Sequence, residues 1–336
     1  MKKFYCLMIL VFVILIFTSC NKKNRFEIDT KKEKVEVTIH RFDRDLIHLD
    51  LNHVRQSVDS LYRTYPGFLP LYIYNVLDTV PTDTLAVADM FHQFVQDTAI
   101  QSVNKKVMAT FADVSDIEKD ISGGFTYIHH YFPQVTLPEV YFFVSGFNRS
   151  VLMPDSLLGV GTDFYLGAGY PPYKSFIYEY LLQNMRRENL AIDVVSATLF
   201  RYFTFDGVNN ALIDNMLHRG KVIWLLSVFM PDKKMEDIMG YTPAQWHWAE
   251  TNEEQVWKTI VAQKHLFSTD MQLINKYLND APFTAPVSQE SPGRLGTWIG
   301  WRIIDSYMEQ KKTMTLEQLM KENNYRKILE QSHYRP

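Results

Sequence analysis

The sequence predicts an α+β fold: a single, mostly helical domain packed on a small, mainly antiparallel sheet. Three observations predict it. The run Val140-Tyr141-Phe142-Phe143-Val144 is apolar, aromatic and β-branched and stops at Ser145-Gly146, as a central strand does. Ile192, Val195, Leu199 and Phe203 recur at helical spacing, and a second apolar stretch runs from Leu212 to Phe229 before Pro231. Strands do not alternate regularly with helices, which argues against a doubly wound parallel sheet.

Ahead of the fold lies a different kind of segment. Lys2 and Lys3 precede an unbroken apolar run from Leu7 to Phe17, closed by Thr18-Ser19-Cys20. That run is shorter than the ~20 residues a stable spanning helix needs, so the order reads as a secretory signal. Thr18 and Ser19 before the cysteine resemble a lipobox, with Phe17 in place of the usual Leu. The resemblance implies cleavage before Cys20, acylation of its sulfur with palmitate-type chains, and anchorage to a membrane. On this reading residues 1–19 are the signal peptide, 20–34 a lipidated tether and 35–336 the globular domain. The alternative takes Phe4 to Ser19 as an uncleaved membrane anchor; in both cases the remainder is exported. No acidic residue follows Cys20 until Glu27. Surface-displayed lipoproteins of the Bacteroidetes carry an acidic export signal there, so its absence favours the periplasmic face of the outer membrane.

Cys6 and Cys20 are the two cysteines, leaving the domain none for a disulfide or a thiolate metal site. An exported body without disulfides must be held by its core, and 46% hydrophobic with 14% aromatic content is enough for a large one. The chain has 35 basic and 38 acidic residues; loss of Lys2 and Lys3 takes the net charge from −3 to −5. That balance favours solubility and argues against a nucleic-acid partner.

Along the domain, Val35, Val37 and Ile39 alternate with Glu36, Thr38 and His40, which predicts a first strand. Helices are expected over 45–62 and 84–94, separated by a turn at Pro66-Gly67. Val151-Leu152-Met153 and 158–166, joined through Pro154-Asp155-Ser156, predict a hairpin beside the central strand. Thr242-Pro243 and Ser291-Pro292 read as helix starts, the latter opening a long helix over 292–308 with Gly296 and Gly300 on one face, where the missing side chains would let another helix approach closely. Thr315 with Gln318 is a capping box.

Tests for chemistry are mostly negative: the sequence has no phosphate-binding Gly-rich loop, no G-x-S-x-G elbow and no H-E-x-x-H, so no nucleotide, cofactor or metal is expected. The adjacent His129-His130 would point in different directions and make a poor metal pair. Asp214 and His218 share a helical face, where a simple His–Asp hydrogen bond accounts for them. Trp246 and Trp248 flank His247 and offer either an aromatic interaction platform or core packing. Asn148-Arg149 would present polar groups on a loop after the central strand.

The segments Val144-Ser145-Gly146-Phe147-Asn148, 155–167 (DSLLGVGTDFYLG), Tyr170-Pro171, 215–221 (NMLHRGK) and 291–301 (SPGRLGTWIGW) resemble gliding-motility lipoproteins of the GldB type, and the resemblance covers nearly the whole domain. It implies a membrane-anchored envelope protein tied to gliding and type IX secretion, with protein partners in the envelope. It supplies no catalytic residues, and relatives occur in species that do not glide. The layout is also similar to zincin-like metallopeptidases, but the corresponding helix, Val195 to Arg201, carries no paired imidazoles, and Arg219 and Lys221 would repel a metal. Two functions follow as expectations: a non-enzymatic interaction or assembly lipoprotein with Cys20 as its anchor and Trp246, Trp248 and His218 as candidate contacts, or a periplasmic hydrolase around Asp214, His218 and Trp246.

Overall fold

The structure, a computed structural model, describes residues 25–336 apart from 31, 81, 82, 155 and 208. Cys20, the signal segment and the proposed cleavage point therefore lie outside the described residues. The body begins earlier than residue 35. Phe26, expected in a free tether, is buried edge-on against Tyr131 and Trp224, and the Arg25 guanidinium donates to the Lys311 carbonyl.

Residues 35–40 do not form a strand over their length. They run extended, and only His40 makes a ladder bridge, to Tyr141. The alternating pattern is satisfied in another way. The Val35, Val37 and Ile39 amides donate to Thr126 Oγ1, Ser122 Oγ and Glu118 Oε1, at 3.0, 3.1 and 2.9 Å. Two extended residues advance about 6.6 Å and four helical residues about 6 Å, so every second amide meets every fourth helical side chain. This strap thus uses a helix face where a sheet edge was expected.

Four helices follow: α1 (Phe42–Ile47), α2 (Val54–Thr64), α3 (Phe68–Asn75) and α4 (Thr84–Gln96). The helix expected over 45–62 is in fact two, split by a short 3₁₀ turn at Leu51–His53 that Asp50 caps. Asp83 starts α4 by accepting from the Ala86 amide. Asp97 ends α4 and starts α5 (Thr98–Thr110), accepting from the Ala99 and Ile100 amides. α5 and α6 (Ser115–Tyr131) have no counterpart among the sequence expectations.

The central strand is as expected, β1 (Glu139–Phe143), and the hairpin is β2 (Val151–Leu152) with β3 (Leu157–Gly161). The order is β1-β3-β2. β1 and β3 pair in parallel over five residues, and β2 pairs with β3 antiparallel over two, so the sheet is mixed rather than mainly antiparallel. The physical reason lies in its position. Helices cover both faces: Tyr141 and Phe143 enter the core built by α1 to α4, while Val140 and Phe142 enter the larger core of the other helices. A doubly covered strand reads as a continuous apolar run, as β1 does, and such burial suits parallel pairing.

The remaining helices are α7 (Tyr173–Phe176), α8 (Glu179–Leu182), α9 (Leu190–Tyr202), α10 (Leu212–Phe229), α11 (Met235–Met239), α12 (Pro243–Ala262), α13 (Met271–Leu278), α14 (Leu295–Gln310), α15 (Leu316–Lys321) and α16 (Tyr325–Ser332). The expected helix start at Thr242-Pro243 and the expected capping box at Thr315 are both present, and Thr242 also forms a capping box with Gln245. Ser291-Pro292 is not a helix start: the Ser291 hydroxyl donates to Ser288 and accepts from Thr284, and α14 begins after Arg294, whose φ is +61°. α10 and α14 cross backbone to backbone. A Cβ on Gly300 would lie 1.9 Å from the Met216 carbonyl oxygen, and one on Gly220 2.3 Å from the Gly300 carbonyl carbon.

Candidate functional site

The residues singled out in the sequence are mostly occupied in holding the fold. His129 and His130 are exposed near the end of α6, and His130 Nδ1 contacts Glu33 Oε2 at 2.7 Å. Asp214 and His218 do not bond one another as expected. Asp214 Oδ2 accepts from the Ala211 amide at the start of α10, while the His218 ring meets Phe205 edge-on. Burial first, and then the nearby Lys221 charge, push the His218 imidazole down to about 4, so it is neutral near pH 7. Lys221 is itself 1% exposed, donates to the Glu322 carbonyl and lies over the Tyr325 ring.

Trp246 packs edge-on against Trp298 at 4.6 Å and also contacts Trp301, and it remains partly exposed. Trp248 is half-buried against the same core. Asn148 and Arg149 are exposed on the loop after β1, where Asn148 Nδ2 and Arg149 Nε donate to the carbonyls of Val76 and Asn75 at the end of α3.

The segments behind the family resemblance have structural work of their own. After β1 the chain passes through Gly146 and Phe147 with φ of +67° and +65°. The fully buried Asp163 carboxylate holds this turn, accepting from the Ser145 amide and hydroxyl and from the Phe147 amide at 2.7 Å. Ser145 Oγ in turn accepts from the Asn148 and Arg149 amides. Gly161 is required because a Cβ would lie 2.2 Å from the Arg149 carbonyl oxygen. The later segments form the α10–α14 crossing and the wall that Arg294 occupies.

That wall belongs to a cavity of about 410 Å³, within the ~300–1,000 Å³ typical of ligand sites. α9 contributes Ile192, Asp193 and Ser196; Phe164 and Tyr165 come from the turn after β3; Phe176, Ile177, Tyr178 and Leu181 come from the α7–α8 region. Asp237 and Gly240 at α11, with Asp280 and Arg294, complete it. Asp193 Oδ2 accepts from the Tyr165 hydroxyl at 2.8 Å, and among the described residues no cation lies within salt-bridge distance of it. Desolvation raises its carboxyl to about 6, with Tyr165 and Arg294 opposing that rise. The other charges are matched: Arg186 bonds Asp237 at 2.9 Å, and Arg294 lies 3.7 Å from Asp280 while donating to the Met239 carbonyl. Gly240, at φ +73°, leaves room for both Asn184 and Arg294, whose atoms would lie 2.9 and 3.3 Å from a Cβ there.

Sequence reasoning missed this cavity. Its one local signal is an aspartate inside the apolar run Leu190-Ala191-Ile192-Asp193-Val194-Val195, and its other walls come from segments distant in sequence. Among the described residues no group of three or more His, Cys, Asp or Glu side chains is arranged to hold a metal.

Fold and cleft together define an α+β body with a ligand-sized, aromatic-rimmed cavity beside a charged wall. The family model described as gliding motility protein GldB matches residues 23–336, and the chain belongs to that family. Neither the curated proteins nor the solved structures compared with it gave a match.

Proposed function

We propose that the protein is a non-enzymatic lipoprotein of the cell envelope, anchored through Cys20, that serves as an interaction or assembly component of the gliding and type IX secretion apparatus or a related envelope process. Membership of the gliding-motility family across residues 23–336 carries this reading. Supporting it, the side chains that a hydrolase reading would use have other partners: Asp214 caps α10, His218 packs on Phe205, and Trp246 belongs to the tryptophan cluster with Trp298. A cavity with an aromatic rim and a charged wall is suited to holding a partner.

The anchor is tested by Cys20→Ala. The variant is expected to leave the membrane fraction and to lose function in a gliding or secretion assay; full function without the anchor would count against the reading. Cross-linking in intact envelopes followed by capture of the protein is expected to yield a reproducible complex. Stoichiometric zinc retained by purified protein after dialysis would overturn the non-enzymatic assignment and restore the hydrolase.

A further inference from the structure

The cavity described above has a charge that its own walls do not pair in a direct ionic contact. Asp193, Asp237 and Asp280 line it. Arg186 answers Asp237 and Arg294 answers Asp280, which leaves Asp193 with only the Tyr165 hydroxyl. A desolvated carboxylate whose sole bond is to a phenol is stabilised by any cation that reaches it. The rim is apolar and open: Phe176 and Tyr178 are 67% and 73% exposed. Phe176 stacks on Phe147 and Tyr178 on Tyr180, at 5.5 and 5.7 Å, so each ring has one face against a neighbour. Exposed aromatic rings lining the same cavity as a single unpaired carboxylate suit a flexible methylene stem ending in a cation.

We propose that this cavity receives a basic side chain of a partner protein, its guanidinium or ammonium group meeting Asp193 while its stem lies against Phe176 and Tyr178. The inference rests on the interaction reading above and names the chemistry of the contact. Arg294 is near enough for its charge to favour ionised Asp193, but its direct contacts go to the Met239 carbonyl and Asp280, which leaves the contact position on Asp193 open. The chain's net charge of −3 adds a weak long-range attraction for a cationic partner.

The probes are blocked Gly-Arg-Gly and Gly-Lys-Gly peptides and the blocked Gly-citrulline-Gly peptide, which keeps the arginine shape without its charge. Each is titrated by calorimetry into full-length protein in detergent. The arginine or lysine peptide is expected to bind saturably, at least about tenfold more tightly than the citrulline peptide, and Asp193→Asn is expected to abolish that difference. Equal binding of charged and neutral peptides, binding unchanged in Asp193→Asn, or no binding of any peptide would overturn the proposal. Wild-type protein supplies a second measurement that needs no variant. Affinity for the charged peptide is expected to rise as pH passes upward through about 6, where Asp193 ionises between Tyr165, Tyr178, Asp237, Asp280 and Arg294. A flat profile from pH 5 to 7.5 would count against it. If envelope capture yields the same complex from wild type and Asp193→Asn, the assembly reading stands and this contact falls; peptide binding without any envelope complex would separate them the other way.

Discussion

At the scale of single residues, two buried aspartates act in different ways. Asp163 organises a strained turn, and Asp193 faces a cavity. In both, burial raises the carboxyl to about 6 from an ordinary value of 3.8. The folded state therefore binds these protons more tightly than the unfolded chain. Their contribution to stability is full below about pH 4 and is lost as pH rises through about 6, the reverse of a salt-bridged carboxylate. Asp193→Asn keeps an acceptor for Tyr165 and removes a desolvated charge, so at pH 7 thermal unfolding should show a variant as stable as wild type or more stable by on the order of 1 kcal/mol. Asp163→Ala strands the Ser145 and Phe147 amides in the interior, and denaturant titration should show a loss of about 2–4 kcal/mol. Little of this was legible in sequence. Asp163 belongs to a motif whose resemblance could be named, but its role depends on the positive φ values at Gly146 and Phe147, which only the folded backbone reveals.

Elements were more legible where the local signal was complete. α9 and α10 were marked by long helical periodicity, α12 by Thr242 before Pro243, and α15 by a capping threonine with Gln three residues on. The signal misled where a polar side chain had another partner. Ser291 before proline has the chemistry of a helix cap, yet its hydroxyl is consumed by the 284–291 loop, and α14 waits until Arg294. The alternation at 35–40 was real and served a helix rather than a strand. Gly300 was read correctly as a site of close approach; its partner Gly220 was not anticipated, since it lies in another helix. Gly300→Ala forces two backbones apart and should cost about 3 kcal/mol or more in denaturant titration, with the helix content of the folded state retained. Ser122→Ala removes one of the three strap acceptors. It should cost about 1 kcal/mol and expose the chain near Val37 to limited proteolysis.

At the scale of the whole molecule, β1 sends alternate side chains into two cores. The α+β class was legible because that strand announces itself. The double coverage was not, because α5 and α6 gave no strong sequence signal. All six tryptophans lie at or beyond residue 224, against the larger core, so tryptophan emission reports on that core alone. Phe143→Ala removes an aromatic ring from the other core and should cost about 3–5 kcal/mol. If the sheet couples the two cores, tryptophan emission will report the full shift in the unfolding midpoint; an unshifted emission midpoint would show that the halves unfold separately.

The strap that lies along α6 also sets how the body responds to force. Tension arriving from the N-terminal side first loads the docked Arg25 and Phe26 and, once they give, pulls along the extended backbone, parallel to the helix whose side chains grip it. The contacts through Val35, Val37 and Ile39 are then strained together, as in a lap joint, rather than peeled in turn as in a zipper. A body joined in this way to whatever holds its leading end can bear a pull that would strip a chain attached at one point.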